Sequence, residues 1–194
     1  MTQDRQFAQL VSVACHDVTT PLATVFGFAQ TLERLELDEP AAAYVEMVAL
    51  ASDQIRDLVE QLRIVAQIEA GRYDPALVEI DSLELARSAA ASLEEDRVRV
   101  IGTGQPVRIA PDATERALAQ LARAAARHGG HDRVDLEVRG SELVISPLSP
   151  TAAPVVLGEK LLELGAPAGA ALIRALGGSL AAADERLTIQ LPTP

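Results

Sequence analysis

The chain has 194 residues, 48% hydrophobic and only 3% aromatic, with 28 acids against 17 bases for a formal charge of −11. That length buries a sizeable core, as one domain or as two small ones, and the acidity excludes the Lys and Arg clusters that nucleic acid or an anionic membrane surface requires. One Cys makes no internal disulfide, no Cys/His cluster has metal-ligand spacing, and no apolar run approaches the ~20 residues of a membrane span, so a reduced, metal-free, cytoplasmic protein is expected.

In chain order, the first element predicted is a helix from about residue 3 to 36. Its apolar positions Phe7, Val11, Ala14, Val18, Leu22, Val25, Ala29 and Leu32 recur every three or four residues, close to the 3.5 period of a coiled-coil seam. Within it stands His16-Asp17-Val18-Thr19-Thr20-Pro21. His16 comes nine residues after Phe7, about 180° round the helix from the seam, and is therefore expected on the exposed side. An exposed imidazole with an ordinary value of about 6.5 is largely neutral at pH 7 and presents a ring nitrogen as a nucleophile. Asp17 is placed to hold the other ring nitrogen and fix the tautomer. Thr20 lies one turn on, on the same face, and Pro21 supplies no N–H, which frees the Asp17 carbonyl and should bend the helix. Ala23 and Gly27 continue this face with small side chains, a surface to which another protein's backbone comes close. Most lone exposed histidines are only surface residues; His128 and His131, beside helix-ending glycines, are read that way. Cys15 has no basic sequence neighbour to activate it and is expected buried beside the seam.

Leu37-Asp38-Glu39-Pro40 breaks the pattern, because Pro40 fits only a first helical turn. A second helix follows, with Val48, Ala51, Ile55, Leu58, Leu62 and Val65 on one stripe and Gly71 as its stop. A two-helix hairpin does not bury so long a seam alone, so a homodimer closing into a four-helix bundle is expected. The chain through Arg72 carries −6 and the remainder −5, so acidity marks neither half.

After Tyr73 the texture changes. Strands are predicted at 76–80, 98–101, 107–110, 134–138, 143–146 and 187–191, with helices at 82–93, at 112–128 with Asp112 as N-cap, and somewhere within 155–176. Gly140 suits a tight turn between two strands, and Gly129-Gly130 and Gly177-Gly178 end helices. The expected fold class is α+β: a helical hairpin over 1–72, then an α/β sandwich over 73–194, one helical layer on one sheet. The single lysine, Lys160, stands in no G-x-x-x-x-G-K loop.

The stretch FAQLVSVACHDVTTPLATVFGFAQTLE resembles the H-box helix of the dimerisation and histidine phosphotransfer domain of two-component sensor histidine kinases, whose pattern is H-[D/E]-x-x-[T/N]-P-L. YVEMVALASDQIRDLVEQLRIVAQIEAGR resembles the partner helix and its exit. The resemblance implies that His16 accepts the phosphoryl group, that Asp17 is its acid/base partner, and that Thr20 positions water or substrate when a receiver is dephosphorylated. The second half resembles the kinases' catalytic ATP-binding domain in its order of elements, as a degenerate copy. Ala124 stands where that family carries a magnesium-binding Asn, with Gln120 one turn earlier, and alanine offers a metal no oxygen. Where a D-x-G-x-G box should follow the strand at 143–146, the chain reads Ser-Pro-Leu-Ser-Pro. Of the later glycine-rich segment Gly165 and Gly169 remain, Pro167 replaces the middle glycine, and the intervening lid is short.

An accepting helix joined to a ruined ATP domain is the pattern of dimeric, ChpT-like histidine phosphotransferases. The expectation is a phosphorelay protein that shuttles a phosphoryl group between receiver aspartates through His16 without ATP. It would bind no cofactor or metal of its own, and Mg²⁺ would be held by the partner receiver. With fifteen residues ahead of His16, no N-terminal input domain is expected. The competing expectations are a kinase that still autophosphorylates through an unusual site, and a pseudokinase adaptor or phosphatase of a response regulator.

Overall fold

The computed structural model describes residues 3–35, 37–93 and 97–194, and the side chains of 3–6, 9, 10 and 12 fall outside the description. The predicted end of the first helix, at 36, lies outside the described residues. The chain divides into two compact units, Met1–Arg72 and Tyr73–Pro194.

The first unit is a hairpin of α1 (Gln3–Glu33) and α2 (Glu39–Glu69), and α1 continues through Pro21. Asp38, in the extended conformation, precedes α2, and Pro40 occupies its first turn, where no N–H is missed. After Ala70 the chain leaves α2 through Gly71 at φ +66, a left-handed conformation that glycine adopts without steric cost. The helices meet through small side chains. Ala8, Cys15 and Ala29 are buried on α1, and Ala49, Ser52, Ile64 and Ala66 on α2. The larger apolar residues of the predicted stripes stay outside: Phe7, Val18, Val25 and Leu32 on α1, and Val48, Ile55, Leu58 and Leu62 on α2, are exposed. Small residues let the helices approach closely and turn the bulkier neighbouring positions to the flank.

The second unit comprises, in order, β1 (Val78–Asp81), α3 (Ser82–Ala91), β2 (Val98–Gly104), β3 (Pro106–Ile109), α4 (Pro111–Gly129), β4 (Val134–Gly140), β5 (Glu142–Ser146), α5 (Ala153–Val156), α6 (Gly165–Ala175), β6 (Ser179–Ala183) and β7 (Arg186–Gln190). A five-stranded sheet runs β2-β4-β5-β7-β6, with β2 and β4 parallel and the other pairs antiparallel, while β1 and β3 form a separate antiparallel pair. Alternation puts Leu136, Leu143, Ile145, Leu187 and Ile189 into the core, where Leu85, Leu118, Leu121 and Ile173 of the helices are also fully buried. Arg99 and Arg139 on the sheet's other face are exposed. This is the α+β arrangement expected, a helical hairpin followed by an α/β unit with a mixed sheet.

Three local expectations are corrected. Asp112 does not cap α4: Ala110 holds that position without a side-chain bond, Pro111 opens the helix, and Asp112 falls in the first turn, where its negative charge complements the positive end of the helix dipole. The cap with a side-chain bond is Asp81, which accepts from the Leu83 and Glu84 amides at 2.8 and 3.2 Å and starts α3. The Ala-rich β6 was not expected as a strand; the left-handed Gly177 ends the preceding helical stretch, and Asp184-Glu185, both at positive φ, turn the chain so that β6 pairs with β7. The region 155–176 holds two short helices, α5 and α6.

Candidate functional site

His16 is presented on α1 with its side chain 83% exposed. Its Nδ1 lies 3.3 Å from Oδ1 of Asp17, so the carboxylate accepts from Nδ1–H and Nε2 is left as the acceptor nitrogen facing solvent. Thr20 and Ala23 are exposed on the same flank, and no side chain stands beyond the backbone at Gly27. Pro21 removes the donor that the Asp17 carbonyl would meet one turn on. Thr19 Oγ1 donates to the Cys15 carbonyl at 2.7 Å, binding the turn around His16 from within. Cys15 points the other way, into the hairpin, and its thiol is pushed above the ordinary value by burial. The three predicted residues His16, Asp17 and Thr20 thus lie together on an exposed stretch of α1, with the imidazole Nε2 available as an acceptor when Nδ1 donates to Asp17.

What α2 brings is not evident from the motif around His16. A cavity of about 100 Å³ lies between the helices, lined by Thr19, Leu22, Ala23 and Phe26 of α1 and by Ser52 and Arg56 of α2. The Arg56 guanidinium sits 4.9 Å from the centre of the Phe26 ring and pairs with Asp53 at 2.6 Å. Two turns further along α2, Arg63 donates to both oxygens of Glu60 at 2.8 and 2.7 Å. The i,i+3 and i,i+4 spacings of these residues were the signal available.

In the second unit Ala124 is fully buried in α4. On a helical wheel it shares a face with Ala117, Gln120 and Leu121, and that face receives α6. A Cβ added at Gly169 would stand 3.1 Å from the Ala117 carbonyl oxygen, and one at Gly165 would collide with the Gln120 side-chain oxygen. Gly165 opens α6 and Gly169 lies within it, and both are packed closely against α4. The opposite face of α4 lines a separate cleft of about 300 Å³, with Ala122 and Ala126 at its base and Arg97, Arg123 and Arg127 around it. Neither remaining histidine is simply on the surface: His128 is half-buried with Nε2 3.0 Å from Glu163, and His131 Nε2 is buried without a partner. The Gly129-Gly130 exit turns the chain inward at this point, a tertiary effect that sequence spacing does not carry.

Residues 8–71 match the family model of the His Kinase A (phospho-acceptor) domain. The chain is histidine kinase-like. Over 65 residues it is 35% identical to the probable sensor histidine kinase TcrY of Mycobacterium tuberculosis (strain ATCC 25618 / H37Rv), a stretch that makes up 33% of this chain and 14% of that protein. The histidine kinase-like fold extends over the second unit. Full-length ShkA in complex with AMPPNP superimposes with a TM-score of 0.70 at 18% identity, over 95% of this chain and 45% of that one. The Acinetobacter baumannii histidine kinase AdeS gives 0.59 at 17% identity, over 92% and 98%. The chain thus spans a small part of the curated relative and less than half of ShkA. Among the described residues, no helix is long and apolar enough to cross a membrane, and no group of three or more His, Cys, Asp or Glu is arranged to hold a metal.

Proposed function

We propose that this protein is a histidine phosphotransferase of a two-component phosphorelay, working without ATP. His16 Nε2 attacks the phosphorus of an aspartyl phosphate on one receiver domain; the P–O bond breaks, the carboxylate leaves, and an N–P bond forms. The reverse step delivers the group to the aspartate of a second receiver. The transfer is in line, through a loose transition state, so catalysis rests on positioning. Asp17 orients the ring and stabilises the imidazolium character that develops in it. Thr20, Ala23 and Gly27 give the receiver a smooth flank to dock on, and Mg²⁺ belongs to the receiver.

The observation that carries this reading is the contrast between an exposed His16–Asp17 pair on a phospho-acceptor-type helix and a second unit in which a buried Ala124 stands where the resembled family carries a magnesium-binding Asn. Ala124, fully buried, offers a metal no oxygen, so at this position the residues present do not fit Mg·ATP. A homodimer follows from the exposed stripes on α1 and α2, which two copies would bury against each other as a four-helix bundle.

The test is phosphotransfer profiling against the receiver domains of the source organism, with and without ATP. The expected result is transfer from a phosphorylated receiver to His16 and on to a second receiver, independent of ATP and abolished by His16→Ala. Phosphohistidine formed from Mg·ATP alone would make the protein a kinase. Loss of receiver phosphate with no phosphohistidine would make it a phosphatase or adaptor.

A further inference from the structure

The two ion pairs on α2 stand along the flank that carries His16. The cavity lined by Thr19, Leu22, Ala23 and Phe26 of α1 and by Ser52 and Arg56 of α2 places residues 19–26 beside 52–56, and in an antiparallel hairpin this puts Thr19 near the level of Arg56 and Ala23 near that of Ser52. Moving one turn along each helix from the Thr19/Arg56 level brings His16 opposite Glu60, and Arg63 follows less than a turn further. Arg56 and Arg63 are seven residues apart and share a face, as do His16 and Ala23, so the site histidine and Arg63 lie on the same side of the hairpin. Levels His16 and Arg63 differ by about 5 Å at 1.5 Å per residue. Side chains lean toward the N-terminus of their own helix, which carries the His16 ring toward the level of Arg63 and the Arg63 guanidinium toward the level of His16. Arg63 and Glu60 also lie near enough to Cys15, on the buried face of α1 one residue before His16, for their charges to act on it in opposite directions.

At rest, Arg63 is held in a two-point pair by Glu60, with the two side chains 43% and 35% exposed. A phosphoryl group on His16 brings about two negative charges and three acceptor oxygens to this flank, in the same fork geometry that a carboxylate offers to arginine. A dianion competes for the guanidinium better than a single carboxylate does. We infer that Arg63 is the α2 residue that binds the phosphoryl group on His16, exchanging its Glu60 partner for the phosphate when the histidine is modified. Glu60 then sets how firmly the group is held: it returns to Arg63 when the phosphoryl leaves and favours release to the acceptor. This inference rests on the reading of His16 as the accepting residue, and it adds a cation supplied by the chain itself.

The experiment uses the full chain phosphorylated with phosphoramidate, in which the donor P–N bond breaks, the Nε2–P bond forms and ammonia leaves with the proton the ring gives up. The readout is the ³¹P resonance of phospho-His16, its titration with pH and its lifetime. Arg63 beside the phosphoryl group favours the dianion. Arg63→Gln is therefore expected to raise the second ionisation by about one unit and to shorten the lifetime about threefold, with Arg63→Lys restoring part of both. Glu60→Gln should move both quantities the opposite way, which a merely structural defect in α2 would not do. Circular dichroism of each variant checks that the hairpin is intact. Identical titrations in wild type, Arg63→Gln and Glu60→Gln overturn the inference and leave the reading of His16 standing. Failure of the wild type to form any phosphohistidine, with His16→Ala indistinguishable from it, overturns that reading and this inference together.

Discussion

The hairpin closes on alanines, Cys15 and Ser52 and leaves Val25, Ile55 and Leu58 in solvent, whereas the second unit leaves almost none of its large strand residues outside, with Leu143, Ile145, Leu187 and Ile189 all fully buried. Both stretches are apolar by composition, so the difference lies in where the bulk is placed. Small side chains bring two helices together but remove little apolar area from water, at roughly 25 cal/mol per Å². The bulky stripes beside them stabilise the hairpin only once something covers them. The sheet unit supplies its own cover, because α3, α4 and α6 lie over one face. The helix that presents His16 thus belongs to the unit that leaves its bulky stripes exposed, and the second unit is the one with a closed core.

The sharpest way to break that contrast is to charge the hairpin's outer stripe. In the proposed homodimer Leu58→Asp would put a carboxylate into the interface twice, and at about 3 kcal/mol for each unpaired buried charge the association should weaken about 10⁴-fold. Sedimentation across a range of concentrations should then show monomer where the wild type is dimer, with hydrogen exchange in the second unit unchanged. A wild type that sediments as a monomer would remove the dimer from the account. Next in size, Leu121→Ala excavates the fully buried core of α4, and its cost is about 3 kcal/mol. Hydrogen exchange across residues 98–190 should accelerate by about a hundredfold under conditions where opening is global. The loss should be the same at every protein concentration, which is how a self-contained core differs from a shared one.

Much of this contrast was legible in the sequence. Periodicity placed α1 and α2 and the six strands flanked by β-branched residues, because those patterns state how a segment meets a core. His16 is exposed as expected, but Phe7, the seam residue from which its position is counted, is exposed as well, so the count alone does not account for it. Less legible was anything decided by the partner of a residue. The stripe Val48–Val65 reads the same whether it faces α1 or a second molecule, and only the smallness of Ala49 and Ser52 shows which face closes the hairpin. Strand β6, Ser-Leu-Ala-Ala-Ala, has helical propensity and is held as a strand by the turn at Asp184-Glu185 and by its ladder with β7. Gly165 and Gly169 look like loop glycines in sequence; the approach of α4 makes them packing residues, and that approach is a tertiary fact. Arg63 and Glu60 read as a solvated helix face until the hairpin's register brings them level with His16.

The smallest expected effect tests whether the second unit's surface charges matter beside its core. On the exposed sheet face Arg139 donates to both oxygens of Glu137 at 2.9 and 2.7 Å. That hydrogen-bonded pair, reinforced by the positive charge of Arg139, lowers the Glu137 carboxyl below its ordinary value, against a weaker opposing effect of desolvation. A carboxyl whose folded value is depressed favours the folded state above the unfolded value of about 4.3, and the contribution disappears as pH falls through the folded value. Glu137→Gln should therefore lower the denaturant midpoint of the second unit slightly at neutral pH, and the gap from wild type should close in acid below about pH 4. Because the pair is open to solvent, ~0.5 M salt should close the same gap at neutral pH, while leaving the much larger Leu121→Ala loss in place. A gap that survives both acid and salt would mean that Glu137 acts through packing, and the sheet's outer face would then have to be counted with the core that it covers.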